Sequence, residues 1–299
     1  MTLPAAVRAD VEYALETATG SGGAILSARP LTGGCVSPVA RVTTAGGDAF
    51  FLKWAGAGHP PGLLDAEARG LRLLASTATV RVPELVATPP TGDGWLLLEW
   101  IEPGPPGPAS WTRLGEDLAA LHRHRADRFG ADLPNFIGPL PQDNARSPAW
   151  ADFWRTRRLE PQLRRAVDGG AFGREDRARF QRLLATLEER IGIGEAEGAS
   201  TLHGDLWSGN VHMAAAGAPA VIDPSAYHGH REVDLAMAEL FGGFEPPFRQ
   251  AYEAAWPLEH GYAPTRRAVY QLYYLLVHIN LFGSAYVAGA RRALQDAGL

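Results

Sequence analysis

The sequence predicts an α+β fold in two lobes, and three observations carry that prediction. Strand-length segments crowd the first hundred residues, a Glu102-Pro-Gly-Pro-Pro-Gly-Pro108 connector follows, and helix-length apolar periodicity dominates the remainder. The proline run breaks strand and helix alike, so the boundary is expected there. That gives an N-lobe over residues 1–101, an antiparallel sheet with a helix, and a mostly helical C-lobe over 102–299.

The elements follow in order. A first helix is expected over Val7 to Thr17, with apolar Val7, Val11, Ala14 and Leu15, before a Gly-Ser-Gly-Gly break at Gly20 to Gly23. Strands are expected at Ala24 to Pro30, Val39 to Thr44 and Ala49 to Trp54, the last two joined by an Ala-Gly-Gly-Asp turn. Leu64, Ala68, Leu71 and Leu74 form the stripe of a helix over Leu63 to Ser76. Two more strands, Glu84 to Thr88 and Trp95 to Trp100, flank a Pro-Pro-Thr-Gly-Asp-Gly turn. Beyond the connector, helices are expected at Ser110 to His124, Trp150 to Val167, Arg174 to Ile191, Val233 to Leu240, Phe248 to Trp256 and Thr265 to Gly289. Ala268 to Ala290 carries no charge, yet Gln271, His278, Asn280 and Ser284 would need partners in lipid; a buried core helix is expected, not a span.

Composition narrows the function. The 299 residues are 46 % hydrophobic and 20 % charged, with a net charge of −5. No basic field draws nucleic acid or anionic lipid, so neither is expected as a partner. A single cysteine, Cys35, excludes an internal disulfide, and charge at Arg8, Asp10 and Glu12 interrupts any leader core. A cytoplasmic protein is expected. Of 28 basic residues one is a lysine, Lys53, leaving 27 arginines. A lysine retained where drift toward arginine removed the others points to a need for a compact ammonium.

The chemistry concentrates in Ser200-Thr-Leu-His-Gly-Asp-Leu-Trp-Ser-Gly-Asn210 and Pro219-Ala-Val-Ile-Asp223-Pro. Asp205 and Asn210 stand five apart across a glycine-bearing loop, and Asp223 follows at the end of a short strand in a second hairpin. Such spacing gathers two carboxylates and an amide oxygen around one small volume. Mg²⁺ favours oxygen ligands of that kind, and a separate carboxylate facing a hydroxyl can accept its proton.

The His-Gly-Asp-Leu-Trp-Ser-Gly-Asn run resembles the catalytic loop of the kinase-like phosphotransferases, with Gly204 where protein kinases usually carry arginine. The resemblance implies a bilobal protein-kinase-like fold, ATP as the phosphoryl donor and Mg²⁺ at the phosphates. It makes Asp205 the catalytic base, Asn210 and Asp223 the metal ligands, Lys53 the phosphate-binding lysine and Glu67 its partner. It also implies that Gly33, Gly34 and Ser37 belong to a nucleotide loop, and that Glu99 and Ile101 present hinge backbone to adenine.

A closer similarity is to the fructosamine kinase (ketosamine-3-kinase) family. It rests on Gly33-Gly-Cys-Val-Ser37, on the tryptophan of Leu206-Trp-Ser-Gly-Asn210, on Asp223-Pro-Ser-Ala-Tyr-His-Gly-His-Arg-Glu-Val-Asp-Leu-Ala-Met237 and on Tyr270-Gln-Leu-Tyr-Tyr-Leu-Leu-Val-His-Ile-Asn-Leu-Phe-Gly283. The family's reaction would be phosphorylation of the C3 hydroxyl of a ketosamine, free or on a protein. Elimination of a phosphate at C3 can then lead to release of the amine. Trp207, His230, Arg231 and Glu232 become candidates for sugar contact, although His230 stands where members often carry aspartate before the arginine.

Plainer roles stand beside these. Asp234 can cap its helix or brace the loop, His203 can buttress the loop by hydrogen bonding, and Trp207 can pack in the core or wall the sugar. His212, His228 and His230 lack the cysteines or tight pairing of a zinc site. A monomer is expected, with a Cys35-linked dimer as the redox alternative. The rival functions are a kinase for another hydroxyl, such as an aminoglycoside or amino alcohol, and a nucleotide-binding pseudokinase.

Overall fold

A computed structural model describes residues 3–19, 23–31, 37–90, 93–215 and 217–299 of the chain. Helix α1 (Ala5–Thr19) precedes β1 (Ile25–Pro30), β2 (Val39–Thr44) and β3 (Ala49–Trp54); α2 (Leu63–Ser76), β4 (Leu85–Ala87) and β5 (Trp95–Glu99) follow. The five strands form one antiparallel sheet in the order β1-β2-β3-β5-β4. Alternation along β5 shows how it is covered. Trp95 and Leu97 join Leu52 and Trp54 against Val11 and Leu15 of α1, whereas Leu96 and Leu98 pack on Leu64, Ala68 and Leu71 of α2.

Gly62 starts α2 at φ 82°, and its N–H donates to Asp93 Oδ2 at 2.7 Å, which sets the entry of that helix. Gly70 lets α2 approach the segment after Asp223, because a Cβ there would lie 3.0 Å from Pro224 Cγ.

After β5 the proline-glycine connector runs beside the hairpin that carries Asp223. Gly104 N–H donates to Met213 O at 2.7 Å and Ala215 N–H to Glu102 O at 2.8 Å. Gly104 is needed for that approach, since a Cβ would sit 2.5 Å from Ala214 O. The connector is therefore pinned, not a loose linker.

The remaining chain holds α3 (Pro108–His122), β6 (Arg125–Ala126), β7 (Asn135–Ile137), β8 (Leu140–Gln142) and α4 (Trp150–Phe153), which continues through a wider π-turn into α5 (Glu160–Asp168). Then come α6 (Arg174–Ala185), α7 (Leu187–Ile191), α8 (Ile193–Glu197), β9 (Ala199–Leu202), β10 (Val211–Met213), β11 (Pro219–Val221) and β12 (Tyr227–Gly229). Helices α9 (Glu232–Leu240), α10 (Pro246–Ala255), α11 (Arg267–Phe282) and α12 (Val287–Asp296) complete it. Strands β12, β9 and β6 pair in that order, and β10 pairs with β11.

Two cores hold these helices. One is aromatic, with Trp150, Phe153, Trp154, Tyr227, Tyr270 and Tyr273 buried together. The other joins Leu74 and Val80 to Trp111, Leu118, Leu206, Leu235 and Tyr252, so apolar packing runs from α2 into the helical part.

The expected helix over 265–289 is not continuous. Gly283 takes φ 87°, which ends α11 and lets the chain restart as α12. The polar groups of α11 have protein partners: Gln271 donates to Ala236 O at 3.0 Å and Asn280 to Gln162 Oε1 at 2.8 Å. Among the described residues no helix is long and apolar enough to cross a membrane.

Candidate active site

Period two along β3 sets the first component. Leu52 and Trp54 face α1, so Lys53 points to the opposite face, toward α2. Glu67 lies on the buried stripe of α2 with Leu64, Leu71 and Leu74. Lys53 Nζ donates to Glu67 Oε2 at 2.7 Å and to Asp223 Oδ1 at 3.1 Å. The Lys53 and Glu67 side chains are each 9 % exposed, Asp223 43 %, so the aspartate is the member open to a ligand.

Burial works against the Lys53 charge, but the Asp223 and Glu67 carboxylates outweigh it and raise its pKa. Burial pushes Glu67 up to about 7 against the pull of Lys53. Asp223 is lowered: burial would raise it, and the adjacent Lys53 charge prevails.

The second component is the loop from β9 to β10, fixed from three sides. Asp234, near the start of α9, accepts the backbone N–H groups of His203 and Gly204, both at 2.8 Å. Tyr274 of α11 donates its hydroxyl to Gly204 O at 2.8 Å. The His203 ring accepts Asp205 N–H at Nδ1 (3.3 Å) and donates from Nε2 to Ile222 O (2.9 Å), tying the loop to the residue before Asp223. Burial lowers the His203 pKa, which keeps the ring in the neutral form that this geometry requires.

Gly204 adopts φ 83°, and a Cβ there would lie 2.2 Å from Ser225 O. No arginine fits at this point, which explains the departure from the protein-kinase pattern. Asn210 Nδ2 donates to Asp205 O at 2.8 Å and to Asp205 Oδ2 at 3.2 Å. Its amide oxygen is thereby left as the atom available to a cation. Burial, then the nearby Asp223 carboxylate, push Asp205 up to about 7, while the Asn210 bond pulls the other way.

This is an acceptor near neutrality beside an ammonium, an amide oxygen and an ionised carboxylate. Such a set can receive a proton from a hydroxyl while holding phosphate charge.

Comparison with known proteins bears directly on that arrangement. The family model described as fructosamine kinase matches residues 8–298. The chain belongs to the fructosamine kinase family. A "probable ketoamine kinase" of Synechocystis is 37 % identical over 93 % of this chain and 92 % of its own length. The chloroplastic protein-ribulosamine 3-kinase of Arabidopsis thaliana is 35 % identical over 88 % and 80 %. A solved Thermobifida fusca structure, provisionally named fructosamine-3-kinase, superposes with TM-score 0.86 at 36 % identity, over 96 % of this chain and 98 % of that one. A macrolide 2'-phosphotransferase from Brachybacterium faecium, 18 % identical over 96 % and 98 %, shares the fold at TM-score 0.56. The fold is the protein-kinase-like one.

Other expected residues of this fructosamine kinase-family chain fall into place differently. Gly33, Gly34 and Cys35 lie outside the described residues. The Ser37 hydroxyl is buried against His59 Nδ1 at 3.2 Å, so it faces inward. The Glu99 carboxylate pairs with Arg81 Nη2 at 2.8 Å, and Ile101 O accepts His212 Nε2 at 2.9 Å. Trp207 is half-buried and folds over Gly209, where a Cβ would lie 2.3 Å from the ring.

The sugar-contact expectation for His230, Arg231 and Glu232 is corrected. All three are fully buried. Arg231 forks onto Glu197 at 2.7 and 2.8 Å, His230 bonds Glu197 at 2.8 Å and Tyr270 at 2.7 Å, and Glu232 receives Arg266 at both oxygens at 2.7 Å. Their polar atoms face these partners, so they act as internal braces. His228 stands apart with Gly130 O at 3.3 Å, and the three histidines considered for zinc have separate partners.

Sequence reasoning missed His122, Tyr252 and Tyr274. His122 joins Asp234 (3.2 Å) to Tyr252 (2.8 Å), extending the brace behind the loop. The only signal was a histidine closing the buried stripe of α3 beside Leu118 and Leu121.

Proposed function

We propose that the chain is an ATP-dependent ketosamine 3-kinase, transferring the γ-phosphoryl group to the C3 hydroxyl of a sugar rearranged onto an amine. The reaction class is carried by the half-buried Asp205 acceptor beside the Lys53–Asp223 pair. The ketosamine class is supported by family membership and by the relative named protein-ribulosamine 3-kinase.

Asp205 takes the C3 hydroxyl proton as the O3–P bond forms and the bond from Pγ to its bridging oxygen breaks, releasing ADP. Lys53, positioned by Glu67, neutralises phosphate charge. The Asn210 amide oxygen and the half-exposed Asp223 carboxylate suit Mg²⁺ by donor type and access. When bound, the ion would supply further neutralisation of the phosphates. Residues 1–101 serve the nucleotide, with the backbone of Gly33, Gly34 and Ser37 at the phosphates and the Glu99 backbone and Ile101 N–H at adenine; residues 102–299 serve the acceptor, with Trp207 along the sugar. The enzyme acts as a cytoplasmic monomer.

Once the product isomerises to its C1 imine, the C2 proton and the C3 phosphate are lost by elimination, and water then hydrolyses the C1–N bond, which frees the amine, leaves a dicarbonyl sugar and makes the reaction one of deglycation. Mg-ATP with fructose- and ribulose-derived ketosamines of lysine, an aminoglycoside and choline, followed by mass spectrometry, tests this. A ketosamine phosphate with matching ADP is expected. Phosphorylation of the aminoglycoside or choline alone moves the substrate class, and no turnover with any acceptor overturns the enzyme reading.

A further inference from the structure

Five large hydrophobic side chains are exposed among the described residues, and two of them meet in one place. Phe241, at the end of α9, is 39 % exposed, and Phe282, at the end of α11, is 56 % exposed. Both close on His278, with centroids 4.6 and 5.5 Å from its ring, and Tyr286 stands 4.9 Å from it. Tyr286 also lies 6.2 Å from Phe282 and 6.4 Å from Phe241. Scattered exposed apolar groups are ordinary; a continuous four-ring shelf is not.

The shelf is continuous with the catalytic loop. His278 bonds the carbonyl of Tyr274 at 2.8 Å, and the Tyr274 hydroxyl holds Gly204 O at 2.8 Å. From the other side, a Cβ on Gly243, two residues after Phe241, would lie 2.5 Å from Ser208 Oγ. The shelf therefore starts one helical turn beyond Tyr274 at His278 and ends a second turn on at Phe282, about 6 to 12 Å along α11 from that loop anchor.

Resting on the ketosamine reading above, we infer that this aromatic shelf binds the amine half of the substrate: the protonated secondary amine and the alkyl chain behind it, as in a lysine side chain. In a ketosamine, four bonds separate O3 from the nitrogen, about 5 Å at most. A lysine chain extends that reach by about 6 Å, the same length as the shelf's run from His278 to Phe282 along α11. The ring faces attract an alkylammonium, and the ring surfaces accept its methylenes. Burial lowers the His278 pKa, so this ring opposes the cation less than an imidazolium would.

The double variant Phe241→Ser/Phe282→Ser tests the shelf at two exposed positions. For wild type, KM is expected to be about 10-fold lower for the lysine-derived ketosamine than for the same sugar carrying only an NH₂ group. The double variant should bring that ratio near one. An unchanged ratio overturns the proposal, as does an equal rise in KM for both substrates, which would place the effect at the sugar. Binding of the 3-deoxy analogue of the lysine ketosamine, followed by NMR titration, needs no turnover. About 10-fold weaker binding to the double variant is expected, and equal binding overturns the shelf. Failure of wild type to phosphorylate any ketosamine would instead overturn the functional reading, with the analogue still deciding what the shelf binds.

Discussion

At Lys53 two carboxylates share one ammonium, and one of them stays 43 % exposed; at Arg231 and Arg266 each guanidinium grips a carboxylate at both oxygens inside the core. The arginines are saturated further. Arg231 also reaches Trp256 O and Pro257 O and lies 4.2 Å from the Trp256 ring, and Arg266 reaches Glu259 O and His260 O. Planar forks and full satisfaction make a brace, while a point charge with unspent partners makes a site that phosphate and metal can complete. The sole lysine in the chain falls in the second kind of cluster.

Breaking the comparison at its active end should produce the largest effect. Asp205→Asn is expected to lower kcat by roughly 10³-fold, the scale of a lost general base, with circular dichroism unchanged. Glu232→Ala strips Arg266 of its buried partner and should cost on the order of 3–5 kcal/mol in urea unfolding, leaving ATP affinity of the folded fraction intact. Lys53→Arg keeps the charge; a brace would tolerate it, but here kcat/KM should fall about 100-fold with stability within about 1 kcal/mol.

The pH dependences should separate as well. Burial and the nearby Asp223 carboxylate push Asp205 up to about 7, and as the proposed base it must be ionised to accept a proton, so kcat/KM should fall as pH drops through 7. Its folded pKa exceeds the unfolded value, so its stability contribution is full at acid pH and lost as pH rises through 7. Asp205→Asn should accordingly gain stability over wild type above pH 7. Glu197 behaves oppositely. Burial would raise it, but His230 and Arg231 bring it down to about 2, so its contribution is present above pH 4.5 and disappears toward 2. Smallest of all, Glu99→Ala removes a half-exposed pair with Arg81 and should change unfolding by less than about 1 kcal/mol.

What could be read from the chain follows the same division. Asp205, Asn210 and Asp223 were legible because they sit close in sequence, and Lys53 because composition isolates it. Glu67 was marked only by the resemblance to the kinase-like phosphotransferases. The sheet strands were legible from turn residues and alternation. Strand β9, buried at all four positions, has no alternation to show, and β6 is two residues long. The brace was illegible for another reason: Glu197 meets Arg231 and Glu232 meets Arg266 only once α8, α9 and the segment before α11 have packed. A Gly-His-Arg-Glu run beside the candidate site residues, in a segment that resembles the family's, therefore suggested substrate contact, when its charges were already matched internally. Gly283 ended α11 because a positive φ there outweighs the apolar periodicity around it.

The most direct test is the position of the transferred phosphate. Wild type incubated with Mg-ATP and a ¹³C-labelled lysine ketosamine should give a product with carbon–phosphorus coupling at C3, and Asp205→Asn should give none. Phosphate bonded through oxygen to another carbon, or C3 phosphate formed at the wild-type rate by the variant, would contradict the account.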